Sequence, residues 1–584
     1  MTSMHSQPPD ALQGHKASDG AFAGRLRGSG PTRLEAARTP DPAAGKPAPQ
    51  PSPRIRLIDR RQLDRIAIAG RKGDFLGALQ EWVLPEFIAA SQWPGIKDAG
   101  RPEVRILDLV GFDAFGEDVL LVFAAARQSH GAEQRLFLPL ALVWDGMPRP
   151  HGCIAEIDLH GRKGWLIDAF DDDQFVSALV EGLVSAEGRK VMAASGLVFR
   201  STAAATGWTN RLRCGAIIRS GTRRPSGSLR IGNVAMLKPI RQLHPGSQPE
   251  LETLHFLSEV AGFRNTPALL GTVEWVRPGH APTALCVLET LVTNGGDGWH
   301  HVLGCLTARL AKARRDEALA ESGLIHLAGM LGRRTAEMHQ AFASSWTRSD
   351  PAFQPEPVDD VDLHAWCAEA KDLAERTFGQ LQQALQRLPP SLRWPAHVLL
   401  SRRSDVTEEI DTLLPSDLKA MKTRVHGAYH LGQVLMGPRD IYIVGFAGTS
   451  LRSPDARRAK HSPVRDVAGM LRSFCDAAAA AGRSPDVGPS DFKRLRACSR
   501  DMSKAFLSAY RQAVLGCSAI PTEADDMDRL LRFFLMEKIL DQLSRELENR
   551  SEWPVIPLCD VQAILDSGAG GRFRPPGEAA AAQA

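Results

Sequence analysis

The sequence predicts an α+β protein, and three observations carry that expectation. Short apolar runs bounded by turn residues recur between about residues 100 and 292, as buried strands do. After Gly298 the apolar positions fall at helical spacing over long stretches. The chain has 584 residues, 43% of them hydrophobic, which is enough for several cores and, as a soft prior, three or four domains.

Taken in order, residues 1–60 are rich in Pro, Ala, Gly and Arg, lack apolar periodicity and read as a tail with no fold of its own. Residues 61–190 read as a small α+β module. It has a helix-like stretch through Phe75, Leu76, Leu79, Trp82 and Val83, then strand-like runs at Val104–Val110, Val119–Ala124 and Leu136–Val143. Residues 191–296 read as five strands, at Leu197–Arg200, Ala216–Arg219, Leu229–Leu237, Ala268–Trp275 and Leu285–Leu291, with one helix at Pro249–Val260. Residues 297–567 are predicted helical, with amphipathic stretches at 317–346, 361–388, 489–514 and 525–549, and 568–584 form a second tail.

Composition narrows the function. The 71 basic and 67 acidic residues are interspersed and leave a net charge of +4, so charge gives nucleic-acid binding little support. The nine cysteines form no Cys-x-x-Cys pair and read as buried thiols in a reducing compartment. No signal-like apolar core and no run of about 18 apolar residues occurs, so the expected location is cytoplasmic, with no membrane partner.

The chemistry concentrates in His426-Gly427-Ala428-Tyr429-His430-Leu431-Gly432-Gln433, followed after a turn by Ile441-Tyr442-Ile443-Val444-Gly445-Phe446-Ala447. A loop of this form before a short strand has the frame of a kinase catalytic loop and its metal-binding strand. Three further segments belong with it: Asn294-Gly295-Gly296-Asp297-Gly298-Trp299; Lys460-His461-Ser462-Pro463-Val464-Arg465-Asp466-Val467-Ala468-Gly469-Met470-Leu471-Arg472-Ser473-Phe474; and Glu546-Leu547-Glu548-Asn549-Arg550. Together they resemble the maltokinases, of the aminoglycoside-phosphotransferase-like kinases, over roughly residues 65 to 565.

That resemblance implies a bilobal, protein-kinase-like fold with an N-terminal α+β cap domain. It implies ATP and Mg²⁺ as cofactors, and the reaction ATP + maltose to ADP + maltose 1-phosphate, beside trehalose metabolism and glycogen-like synthesis. Maltose or a related sugar, and a separate trehalose synthase or glucan-synthesis enzyme, would be the partners. By resemblance Ser226, Gly227 and Ser228 are the phosphate loop, Lys238 the phosphate-binding lysine, and Glu252 the helix glutamate that pairs with it. Backbone groups of Glu289 and Leu291 would face the adenine, Gln433 would hold the metal, and His426, Tyr429, His430, Arg465 and Asp466 would support the loop or the substrate.

The family's acids are missing, however. Ala428, Gly445 and Ala447 stand where the base aspartate, the metal aspartate and a glutamate are expected. Alanine carries no acceptor, and loss of a general base costs about 10² to 10⁴ in rate. The expectation is therefore a catalytically impaired protein or pseudokinase. The alternative is an active ATP-dependent sugar kinase with rewired metal ligands, in which His430, Asp440 or Asp455 takes over. Arg545 stands where the family tends to have tyrosine.

Overall fold

The computed structural model describes residues 74–565 apart from 92–100, 113–118, 129–132, 145–149, 160–161, 187–188, 190–195, 220–226, 312–316, 345–349, 449–453, 484–486, 549–557 and a few single positions. The two expected tails and Ser226 lie outside the described residues.

The first helices, α1 (Asp74–Ala78) and α2 (Leu84–Ala90), are joined by a wide turn, Leu79–Val83. They cover a five-stranded antiparallel sheet of order β1-β2-β3-β5-β4: β1 (Glu103–Phe112), β2 (Val119–Arg127), β3 (Gln134–Trp144), β4 (Ala155–Leu159) and β5 (Arg162–Asp168). Alternation of side chains along a strand explains how one continuous apolar run serves two cores. On β2, Leu120, Val122, Ala124 and Ala126 pack toward α2, whereas Val119, Leu121 and Phe123 pack toward α3 (Asp173–Val184). The last two strands and α3 were not anticipated. β4 and β5 are short and mixed in polarity, so they carry little apolar signal.

The second sheet has six strands in the order β6-β10-β11-β9-β8-β7. Its first members are β6 (Leu197–Ser201), β7 (Ile217–Arg219), β8 (Leu229–Ile231) and β9 (Ala235–Pro239), with the short α4 (Thr209–Arg213) after β6. The run expected as one strand, Leu229–Leu237, is thus a hairpin. Gly232 turns it at φ +54°, where a side chain is disfavoured. Next come α5 (Pro249–His255), a wide turn Phe256–Val260, β10 (Leu269–Trp275) and β11 (Thr283–Thr290). Residues of both sheets share one core, in which the Phe123 and Trp275 rings stack with centroids 3.5 Å apart.

The remainder is helical: α6 (Gly298–Ala311), α7 (Glu317–Phe342), α8 (Asp360–Ala384), α9 (Pro390–Ser401) and α10 (Arg403–Leu413). Two small pairs interrupt it, β12 (Glu356–Pro357) with β13 (Met421–Lys422) and β14 (Val434–Met436) with β15 (Ile441–Ile443). The short α11 (Pro454–Arg458) precedes α12 (Val464–Ala481), α13 (Pro489–Ala513) and α14 (Ala524–Glu548). The central α12 packs against α6, α13 and α14 and is buried along most of its length, as its Ala-rich sequence permits. A strand-rich lobe thus stands beside a helical one, as expected. Among the described residues no helix is long and apolar enough to cross a membrane.

Candidate functional site

The loop His426–Gln433 is held against one face of α12 by residues at helical spacing. Asp466 accepts the backbone N–H groups of His426 (2.7 Å) and Gly427 (2.9 Å), and Ser473 Oγ accepts from Leu431 N–H (3.1 Å). Between them Gly469 lets the backbones touch, since a Cβ there would lie 2.5 Å from the Tyr429 carbonyl oxygen. Positions i, i+3 and i+7 share a helix face, so one stripe of α12 carries the whole loop. Asp466 is buried. Burial pushes its carboxyl up, but the His339 hydrogen bond and charge and the His426 contacts outweigh this and hold it below the usual range. Asp466 thus ties the first two backbone N–H groups of the loop to α12. Its neighbour Arg465 is buried and pairs with Glu537.

His426 donates from Nε2 to Val444 O (2.9 Å), and burial pushes its pKa down, so it is a neutral post linking loop and strand. The Tyr429 hydroxyl bonds Thr335 (2.9 Å) inside the core, and burial raises its pKa. His430 accepts the Gly432 N–H at Nδ1 (3.0 Å). In the neutral ring the proton then sits on Nε2, and no lone pair is left to take one from a substrate. Asp440 is bound by Arg334 (3.0 and 2.5 Å). The Nδ1 of His430 and the carboxylate of Asp440 are thus already engaged within the protein.

The position expected from the resemblance to hold the metal differs from the pattern of those kinases in shape as well as in charge. Gly445 has φ +82°, and an added Cβ would sit 1.9 Å from Gln433 Oε1 and 2.6 Å from its Cδ. The Gln433 amide thus fills the room that a side chain at 445 would need. Among the described residues no group of three His, Cys, Asp or Glu side chains is arranged to hold a metal. An octahedral Mg²⁺ site needs hard oxygen ligands, usually with one or two carboxylates. Ala428, Gly445 and Ala447 offer none, and the residues present do not fit the ion.

Two expected contacts in the smaller lobe are corrected. Lys238 pairs with Glu289 (2.8 Å) and Glu250 (3.4 Å), not with Glu252. Two residues apart on α5 is about 200° of rotation, so Glu252 faces the opposite way. There it holds Arg458 through two bonds (2.8 and 3.0 Å) and the buried Arg424 (3.3 Å). The Leu291 N–H, expected at an adenine edge, donates to Val234 O (2.8 Å). Glu289 lies inside β11 with β10 and β9 on either side, and its side chain turns to Lys238. Gly227, at φ +59°, and Ser228 lead into β8, and the rest of the expected phosphate loop lies outside the described residues.

Below Ala428 opens a cavity of about 1110 Å³. Ala428, Tyr429, His430 and Gln433 line one side, with Asp297 and Trp299 near them; α8 contributes Glu369, Asp372 and Arg376, and α14 contributes Glu537, Lys538, Asp541 and Arg545. Asp297 caps α6 by accepting the His300 N–H (2.8 Å). The α8 wall was not anticipated, because nothing in a surface-like Glu-x-x-Asp spacing announces which cavity it meets.

No family model matches the chain. Glucosamine kinases of Mycolicibacterium smegmatis and Streptacidiphilus jiangxiensis are each 25% identical to it, over 344 and 343 residues, which is 58% of this chain in both cases and 77% and 71% of theirs. A solved glucosamine kinase in complex with glucosamine, ADP and inorganic phosphate superposes with a TM-score of 0.56 at 22% identity, covering 82% of this chain and 99% of that one. A second crystal form of glucosamine kinase gives 0.55 at 20%. The chain has the fold of these sugar kinases. The motifs resemble those of maltokinases, whereas the two curated relatives named above are glucosamine kinases.

Proposed function

We propose that this protein is a sugar-binding, kinase-fold protein that does not transfer phosphate by the metal-assisted route. The observation that carries the reading is the junction at Ala428: a roomy polar cavity opens where the base is absent, beside a metal position filled by Gln433. Phosphoryl transfer depends on charge neutralisation and on positioning of the attacking hydroxyl. Both supports are missing here, while Asp466, Gly469 and Ser473 still hold the loop in place. The ligand that suits the cavity best is an amino sugar. Glu369 and Asp372 on α8 supply anionic lining for an ammonium group, in a cavity that also carries Arg376, Lys538 and the Asp541–Arg545 pair, and the two curated relatives are glucosamine kinases. Maltose, which the motif resemblance implies, is the competing sugar.

Calorimetric titration with glucosamine and with maltose, paired with an ADP-release assay in ATP and Mg²⁺, tests this reading. The expected result is saturable binding of glucosamine with no sugar-dependent ADP release. Turnover of either sugar at the roughly 1–100 s⁻¹ usual for kinases would overturn it.

A further inference from the structure

The metal position is flanked by an arginine whose charge has no assigned use. Arg457, on α11, lays its aliphatic stem across Gly448, where a Cβ would lie 3.3 Å from both its Cγ and its Cδ. Its guanidinium donates to the carbonyl oxygen of Ala447 at 3.0 Å. Its Nε is buried and bonds nothing, and Arg457 forms no ion pair among the described residues. Two groups of the strand-rich lobe feel the charge: Glu250, the partner of Lys238, and His244, whose pKa is pushed down by burial and then by Arg457. The cation therefore lies at the strand end that lacks its carboxylates and within electrostatic reach of Glu250, the partner of the lysine that would meet phosphates. The adjacent Arg458 is committed to Glu252 and plays no such part.

A divalent cation in a kinase cleft neutralises phosphate oxygens, and a guanidinium does the same with a fixed fork of donors and no need of carboxylate ligands. We propose that Arg457 takes the metal's electrostatic place, so that the cleft binds the polyphosphate of a nucleoside diphosphate or triphosphate without a divalent ion. The inference rests on reading the cleft as a nucleotide site and goes beyond the sugar-binding proposal. An arginine held by a backbone carbonyl keeps its charge with or without metal. The absence of acids at 445 and 447 then removes repulsion from the incoming phosphates.

The test is ADP binding to the full chain, followed with a fluorescent ADP analogue and by calorimetry, in EDTA and in excess Mg²⁺, with inorganic pyrophosphate as competitor. Affinities within about threefold of each other in the two conditions are expected. Arg457→Gln should weaken binding by at least about tenfold, the loss of one or two charge-assisted hydrogen bonds, and Arg457→Lys should recover part of it. Melting temperatures of both variants and their glucosamine binding separate a folding defect from a lost phosphate contact. The proposal is overturned by ADP binding that requires Mg²⁺, by Arg457→Gln binding as wild type does, or by no ADP binding at all. The last result with glucosamine binding intact would leave the sugar-binding reading standing.

Discussion

At position 445 a missing carboxylate and a changed shape have the same cause. Glycine at φ +82° leaves a gap, and the Gln433 amide enters it. Restoring the aspartate therefore does not simply restore a ligand. Gly445→Asp should lower stability by about 1–3 kcal/mol through overpacking, with a further cost for a side chain at positive φ, whereas Gly445→Asp combined with Gln433→Ala should recover the overpacking part and leave the backbone strain. Urea unfolding of the two variants measures this, and equal stability of single and double variants would contradict the interlock. The substitutions at 428, 445 and 447 were visible in the sequence because they break a recognisable frame. The turning of Gln433 was not, because a rotamer depends on what stands opposite it.

The phase of α5 decides which glutamate does what. The expected Lys238–Glu252 pair placed the right helix beside the right strand and chose the wrong face of the helix. Glu252 instead joins the two lobes through Arg424, which is only 3% exposed, and Arg458. Removing its charge leaves a buried guanidinium unpaired, so Glu252→Gln should cost about 3 kcal/mol. Glu250→Gln should cost about 1 kcal/mol or less, because that pair is partly exposed and Lys238 keeps Glu289. Comparable losses in denaturant unfolding would show that the clamp has been misread. Of the Asp466–Gly469–Ser473 stripe only Asp466, together with Arg465, was expected to support the loop; the parts of Gly469 and Ser473 appear once the helix repeat sets all three on one face.

The separate modules expected at 61–190 and 191–296 are joined through a common core. Phe123, Phe137 and Phe175 on one side and Leu229, Trp275 and Leu288 on the other belong to the same buried cluster. A chain beginning at residue 196 would expose that surface, and exposed patches of this kind promote association. Such a truncation is expected to be insoluble or to bind a hydrophobic dye strongly, while Trp275→Ala in the full chain should cost about 3–5 kcal/mol. A truncated protein that is monomeric and unfolds cooperatively would show the first sheet to be dispensable. The resemblance of the motifs implied a kinase-type loop at 426–433 without its acids. Local pattern already settled that the chain is α+β and that its second half is helical. These are properties of neighbouring residues and of periodicities of two and 3.6, and they survive without knowledge of the fold. Long-range packing settled the pairing of Lys238, the filling of the metal position, the placement of Arg457 and the α8 wall of the cavity. Each of these depends on side chains distant in sequence meeting at one point, and the direction in which a side chain faces is fixed only when the elements are docked.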